Sequence, residues 1–124
     1  MTDVATIFDR LPEFFDARPA LVRRATRARI TMLVGAGQVS RRLTVGSGTL
    51  TISHADGPMD GWDIALRGDD TVWSDHWRAL PAPDAADIFG MRRRGRLVIE
   101  GNFLPLMQNL QLIKDILALP RGTI

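Results

Sequence analysis

Apolar residues recur every three or four positions in the N-terminal segment, which is the period of an α-helix. Asp3 can accept backbone donors where this helix would begin, and Pro12 is expected to end or kink it. Pro19 suits the first position of a further helical turn. The apolar side of the predicted N-terminal helices consists of Val4, Ile7, Phe8 and Leu11, followed by the pair Phe14 and Phe15.

From Arg29 onward every second residue is apolar, which predicts β-strands with one apolar and one polar face. Glycines at residues 35–37 and 46–48 predict two hairpin turns, and the segment 55–61, rich in glycine and proline, predicts a loop. Such a sheet is expected to be covered on one face and exposed to water on the other. The apolar positions of four strands are Ile30, Met32 and Val34; Val39, Leu43 and Val45; Leu50 and Ile52; and Trp62, Ile64 and Leu66.

The second half of the chain is expected to supply the helices that cover the apolar face. Ser74 can cap a first helical turn and Asp84 a second helix, and a fifth strand follows at residues 96–100. The prediction is an α+β fold with a mixed or antiparallel sheet of about five strands and helices covering one face. The first helical turn would carry His76 and Trp77, and the second helix Ile88, Phe89 and Met91.

The last predicted helix, residues 102–119, is apolar almost all the way round. Packing against one surface requires one apolar stripe, so the second stripe must contact another element, a partner subunit or an apolar ligand. A homodimer would bury the second stripe without any ligand. The first stripe consists of Phe103, Leu106, Met107, Leu110, Ile113 and Leu117, and the second of Leu112, Ile116 and Leu119.

The composition is typical of one soluble domain. The chain has 124 residues, of which 45% are hydrophobic, and we assign residues 1–120 to the domain and residues 121–124 to a tail or linker. The absence of cysteine excludes disulfides, thiolate metal sites and a cysteine nucleophile. No segment has the pattern of a signal peptide or a membrane span, so we expect a cytoplasmic protein.

The second half of the chain shares an order of motifs with a known family. Residues 61–68 read GWDIALRG, residues 87–102 read DIFGMRRRGRLVIEGN, and an apolar helix follows. In this order, and in the glycine-flanked strand GRLVIEG, the chain resembles the sterol carrier protein 2 (SCP-2) family. The resemblance implies noncatalytic binding of a sterol, fatty acid or fatty acyl-CoA in an apolar tunnel between helices and sheet. It implies no cofactor, and such domains also occur joined to enzyme domains.

Bulky apolar side chains are the expected wall of such a tunnel, and flexible methionines adapt to ligands of irregular shape. Arg41 and His54 share the phase of the apolar strand positions, so they are candidates for contact with a lipid headgroup. The predicted wall consists of Phe8, Phe14, Phe15, Met32, Phe89, Met91, Phe103, Met107 and Leu110.

Two arginine clusters support an alternative function, since basic patches bind phosphates. Nucleic-acid binding is disfavoured by the absence of tyrosine and by the few aromatic residues available for base stacking. The same charges could contact an anionic membrane transiently or hold the phosphates of an acyl-CoA. The clusters are Arg23, Arg24, Arg27 and Arg29, and Arg92, Arg93, Arg94 and Arg96.

Catalysis is the third possibility. Ser74, Asp75 and His76 are the residue types of a hydrolase triad, but consecutive residues diverge too far to form its relay. The chain has no nucleophile elbow, phosphate loop, zinc-binding helix motif or dinucleotide fingerprint. We therefore expect no enzyme activity and no metal site.

Overall fold

Three short helices precede the sheet in a computed structural model that describes residues 3–54 and 61–123. They are α1 (Val4–Asp9), α2 (Leu11–Asp16) and α3 (Pro19–Arg24), and a 3₁₀ turn, Ala25–Arg27, follows. Pro19 begins α3 as predicted, whereas Pro12 lies in the first turn of α2, where its missing N–H costs nothing. Asp3 stands at the N-cap of α1, although its side chain makes no capping hydrogen bond.

Five strands form one mixed sheet in the order β3-β2-β1-β4-β5. Both predicted hairpins are present, and β1 pairs with β4 in parallel while the other neighbours are antiparallel. The predicted fold class is thereby confirmed, and the predicted loop lies outside the described residues except for Gly61. The strands are β1 (Arg29–Ala36), β2 (Val39–Gly46), β3 (Thr49–His54), β4 (Ile64–Gly68) and β5 (Val98–Gly101).

The helices cover one face of this sheet, and the core lies between them. Most of the predicted apolar positions of β1, β2 and β4 face the core, whereas Val39 is only half-buried and Trp62 precedes β4. The opposite face of the sheet is less exposed to solvent than predicted, because Leu33 and Ala65 on that face are also buried. They are neighbours in the register, flanked by Arg42 on one side and Glu100 on the other, and long polar side chains can cover apolar surface.

Four helices follow the fourth strand, and their caps differ from the predicted ones. Asp69, not Ser74, caps α4 by accepting the N–H of Val72 at 3.1 Å. Asp87, not Asp84, caps α5 by accepting the N–H of Phe89 at 3.2 Å. Among the described residues, no helix has both the length and the apolar character needed to cross a membrane. The helices are α4 (Asp70–His76), α5 (Ile88–Arg93), α6 (Phe103–Gln108) and α7 (Leu110–Leu117).

The single C-terminal helix predicted from the sequence is wrong, because the chain breaks at Asn109 into α6 and α7. The Asn109 side chain donates to the carbonyl of Pro105 at 2.9 Å, while its backbone N–H donates to Leu106 and not to Pro105. After the break, Leu112 and Ile116 turn into the core. This burial contradicts the predicted dimer contact of Leu112, Ile116 and Leu119, since two of its three side chains are covered within one chain.

At Gly101, the last residue of β5, the surrounding backbone leaves no space for a side chain. Its φ is +118°, and a Cβ built there would lie 2.5 Å from the carbonyl oxygen of Asp63. That oxygen also accepts the N–H of Asn102 at 2.7 Å, so it cannot move without loss of the bond. The glycine that ends the GRLVIEG motif is therefore required by backbone packing.

We expect Gly101→Ala to destabilise the fold by about 1–3 kcal/mol or more, from backbone strain and the close contact together. Gly61→Ala is the matched control, because a Cβ there meets no atom of the described residues within 4 Å. Denaturant unfolding of both variants gives the comparison, and equal midpoints for the two would contradict this account of Gly101.

The adjacent phenylalanines of α2 offer a second comparison. Phe15 is fully buried in the core, whereas Phe14 is half-buried and lies under the guanidinium of Arg10 at 4.7 Å. We expect Phe15→Ala to cost about 3–5 kcal/mol in the free energy of unfolding. Phe14→Ala should cost clearly less. An equal loss in the free energy of unfolding for the two variants, measured with guanidinium chloride, would show that Phe14 also belongs to the core.

Candidate functional site

The nine side chains predicted to line a tunnel lie in three different environments. Four are fully buried in the core, four are half-buried, and Met107 is 53% exposed on α6. Ligand contact by any of them stays a prediction. The buried four are Phe8, Phe15, Met32 and Met91, and the half-buried four are Phe14, Phe89, Phe103 and Leu110.

An aromatic cluster occupies the centre of the core. The ring of Phe8 meets those of Trp73 and Trp77 edge to face, with centroids 5.3 and 5.6 Å apart. The indole N–H of Trp73 donates to the carbonyl of Gly35, and that of Trp77 to the carbonyl of Leu117, each at 2.8 Å. Both tryptophans are packing residues with backbone acceptors.

The two predicted headgroup contacts, Arg41 and His54, are cross-strand neighbours at one end of β2 and β3. Arg41 is mostly buried, and its Nε donates to the carboxylate of Asp9 at 2.8 Å. The guanidinium therefore already has an anionic partner on α1. His54 is exposed. The structure brings the two residues together, and among the described residues the ion-pair partner of Arg41 is Asp9.

A groove of about 430 Å³ opens between α3 and the C-terminal end of α7. Its floor includes Leu21, which is buried in the core, and Leu119, which packs against the core. The volume lies within the range of about 300–1,000 Å³ that is usual for small-molecule sites. The remaining lining residues are Arg18, Pro19, Ala20, Arg24, Asp115 and Ala118.

Two arginines lie at the rim of this groove. Arg24 donates from Nη1 to Asp115 at 2.8 Å, and Gln111 donates to the other oxygen of the same carboxylate at 3.0 Å. Arg18 is exposed and has no ion-pair partner among the described residues. The rim therefore combines one exposed guanidinium with a second that is paired to a half-exposed carboxylate.

Two of the four arginines in the second cluster form ion pairs with carboxylates. Arg94 pairs with Asp84 at 3.2 Å, and Arg96 pairs with Asp75 at 2.8 Å. Arg92 lies over the ring of Phe103 at 5.7 Å. This surface is less suited to a row of phosphates than the sequence indicates.

Of the three consecutive residues of the hydrolase types, Asp75 and His76 make separate structural contacts. Asp75 accepts from Arg96 and Arg78, and the bond from Arg96 contributes most to lowering the pKa of Asp75. His76 is buried, and its Nδ1 lies 2.8 Å from the carbonyl oxygen of Ala85. The carboxylate and the imidazole are thus directed to different partners and do not form a relay.

The environment of His76 favours the neutral form of its imidazole. A carbonyl at 2.8 Å requires the proton on Nδ1, which leaves a lone pair on Nε2, and Nε2 has no hydrogen-bond partner among the described residues. Burial is the main cause that lowers the pKa of His76 below its ordinary value, and the charge of Arg121 acts in the same direction.

The groove was not predicted, because the sequence analysis searched for bulky apolar side chains. Several of its walls are formed by small residues, such as Ala20 and Ala118, and their small volume leaves the space open. Its two sides come from segments about a hundred residues apart in the chain. The proline and alanine at the start of α3 were the available sequence signal for the groove. This signal is weak, because small residues leave a groove only where a distant segment packs beside them.

Comparison with solved structures shows which known fold the chain has. No protein-family model matches the chain, and no curated protein matches it significantly. Among solved structures, sterol carrier protein 2 matches with a TM-score of 0.65 at 13% identity over 90% of each chain. A UbiJ-SCP2 ubiquinone synthesis protein matches with a TM-score of 0.62 at 16% identity, over 94% of this chain and 95% of that one.

A third match is a double mutant of the sec-alkyl sulfatase PisA1, with a TM-score of 0.64 at 17% identity. It covers 90% of this chain but only 16% of the sulfatase. At such identities a structural likeness establishes the fold and nothing finer. The protein thus has the SCP-2-like fold, and the resemblance first seen in its motifs is confirmed at that level.

Proposed function

We propose that this chain binds an anionic amphiphile of the fatty-acid class and carries or presents it without catalysing a reaction. The observation that carries the proposal is the groove between α3 and α7, where an apolar floor continuous with the core meets an arginine rim. The SCP-2-like fold, shared with a protein named as a sterol carrier, supports binding of a lipid in general.

The apolar part of the ligand would lie along Leu21, Ala118 and Leu119. Each fully buried methylene contributes about 0.8 kcal/mol, and a groove open to solvent recovers part of that for each carbon it covers. This contribution is set against the cost of association, so the ligand must cover several carbons to bind measurably. A hydrocarbon chain meets that requirement, whereas a small polar metabolite does not.

The polar end of the ligand would lie at Arg18 and Arg24. A carboxylate accepts charge-assisted hydrogen bonds from guanidinium groups, which are stronger than bonds between neutral groups. Arg18 is exposed, and Arg24 could exchange Asp115 for the ligand, because that pair is half-exposed and contributes little to stability. Exposed Arg23 and Arg27, close by in sequence, suit a transient approach to an anionic membrane surface.

A noncatalytic role is supported by the engagement of Asp75 and His76 in structural contacts away from the groove. Presentation of the ligand to an enzyme is part of the proposal, because a domain of this fold occupies 16% of an alkyl sulfatase. Nucleic-acid binding is not proposed, since Arg94 and Arg96 are paired with carboxylates.

Native mass spectrometry of the purified protein, with organic extraction, is the direct test. We expect one bound fatty acid or related lipid on each folded chain, and calorimetry with decanoate at pH 8 should show one site. A protein that carries no lipid and shows no heat of binding with decanoate would overturn the proposal.

Ala20→Trp fills the groove without touching the core, because Ala20 is exposed and lines the groove. We expect decanoate affinity to fall at least about tenfold, equivalent to 1.4 kcal/mol, while the melting temperature stays unchanged. Ala79→Trp is the matched control at an exposed position outside the groove lining. Equal affinities for the two variants would place the ligand elsewhere.

Arg18→Gln tests the polar end. Loss of a hydrogen bond between charged groups is worth about 1.5–3 kcal/mol, so we expect decanoate affinity to fall about tenfold or more. Affinity for uncharged 1-decanol should not change. Arg93→Gln removes the same charge from an exposed residue that does not line the groove, and calorimetry of both variants separates a specific contact from net charge.

A further inference from the structure

The residues after α7 are fastened to the end of α4. Arg121 donates from Nε to the carbonyl oxygen of His76 at 3.0 Å and from Nη2 to that of Ala86 at 3.1 Å. The N–H of Gly122 donates to the carbonyl oxygen of Trp77 at 2.8 Å. Three hydrogen bonds thus hold this segment, although the sequence predicts a tail or linker from residue 121; the division of the chain there stays a prediction.

The hydrogen-bonded segment directly follows the residues that form one wall of the groove. Ala118 and Leu119 line the groove, Pro120 is buried, and Arg121 is the next residue along the chain. Leu119 lies two residues before Arg121, so a movement of Arg121 away from α4 would act on the chain close to this wall.

His76 makes this contact sensitive to acid. Nη2 of Arg121 lies 3.4 Å from Nδ1 of His76, which already directs its proton to Ala85. A second proton would have to reside on Nε2, where no described residue offers an acceptor. It would also place a positive charge beside the guanidinium in a buried setting, where like charges repel strongly.

The hydrogen bond to Ala85 and the charge of Asp87 raise the pKa of His76, but the net effect of its surroundings is to lower it. Asp87 acts on the imidazole from the segment before α5, but its carboxylate already accepts from Lys114 at 3.2 Å. The contacts from Trp73 on α4 and from Ala85 carry no charge. Because burial and Arg121 lower the folded-state pKa of His76, the unfolded or opened segment binds the proton more readily. Stability of the closed form therefore falls as the pH drops below about 6.5.

We propose that His76 and Arg121 form an acid-sensitive latch that positions the Leu119 wall of the groove, an inference that rests on the proposed function. At neutral pH the segment is closed and the groove is complete. In acid, protonation of His76 releases Arg121, the segment opens, and the groove loses a wall and its ligand. Both residues act as positioning residues, since neither lines the groove.

Hydrogen exchange at the Gly122 amide measures the latch without any ligand, because that N–H bonds directly to α4. One proton taken up on opening lowers the protection factor by up to about tenfold between pH 7.5 and pH 5.5. His76→Gln, which does not titrate, should remove this pH dependence. His54→Gln is the matched control, because His54 is the chain's other histidine and is exposed, and it should keep the dependence.

Arg121→Met is the second variant, and it serves even where His76→Gln fails to fold. Without the guanidinium, Gly122 should be poorly protected at pH 7.5 and its protection should vary less with pH. A protection factor that is the same at both pH values in the natural protein overturns the latch. Equal pH dependence in the natural protein and a folded His76→Gln variant overturns the role of His76.

Calorimetry with decanesulfonate, which stays ionised at both pH values, measures the coupling to the groove. We expect affinity to fall at pH 5.5 in the natural protein and in His54→Gln, but not in His76→Gln. Loss of Gly122 protection with unchanged affinity overturns the positioning role. Absence of binding already at pH 7.5, with the acid-dependent exchange intact, overturns the proposed function and the coupling to the groove but leaves the acid-dependent opening of the segment established.

Discussion

Two buried indole N–H groups, one on α4 and one on the residue that follows it, determine where the helical layer lies on the sheet. Trp73 donates to Gly35 of β1, and Trp77 donates to Leu117 at the end of α7. A buried donor without an acceptor costs about 1–3 kcal/mol, so α4 cannot shift relative to either element without that loss. Phe8 lies against both rings and adds α1 to the same unit. The groove and the C-terminal latch both depend on the position that α4 gives to the end of α7.

The strands could be predicted from alternation alone, because one covered face imposes a period of two on the chain. The parallel pairing of β1 with β4 could not, since it joins segments separated by two other strands. The caps of α4 and α5 were misplaced by a few residues, because Ser74 and Asp84 are as suitable chemically as Asp69 and Asp87. The break at Asn109 depends on a side-chain bond to Pro105 that apolar periodicity does not reveal.

The site was harder to predict than the fold for a physical reason. Large apolar residues such as Phe15 and Met91 contribute most when fully buried, so selecting them finds the core. A groove arises where side chains are small, as at Ala20 and Ala118, and where distant segments approach without filling the space between them. Composition and periodicity describe which side chains are present, whereas a binding groove depends on the volume they leave open.

The parallel pairing of β1 and β4 also fixes an order of assembly. The strands β1, β2 and β3 are joined by tight turns, so their contacts are local and can form early. The other edge of β1 stays unpaired until the chain has passed the whole meander and supplied β4. The indole N–H of Trp77 donates to the carbonyl of Leu117, which is close to the end of the chain. Packing of the core can therefore be completed only after the last helix has formed. During synthesis on the ribosome, a nascent chain that already contains four of the five strands would still lack a completed core.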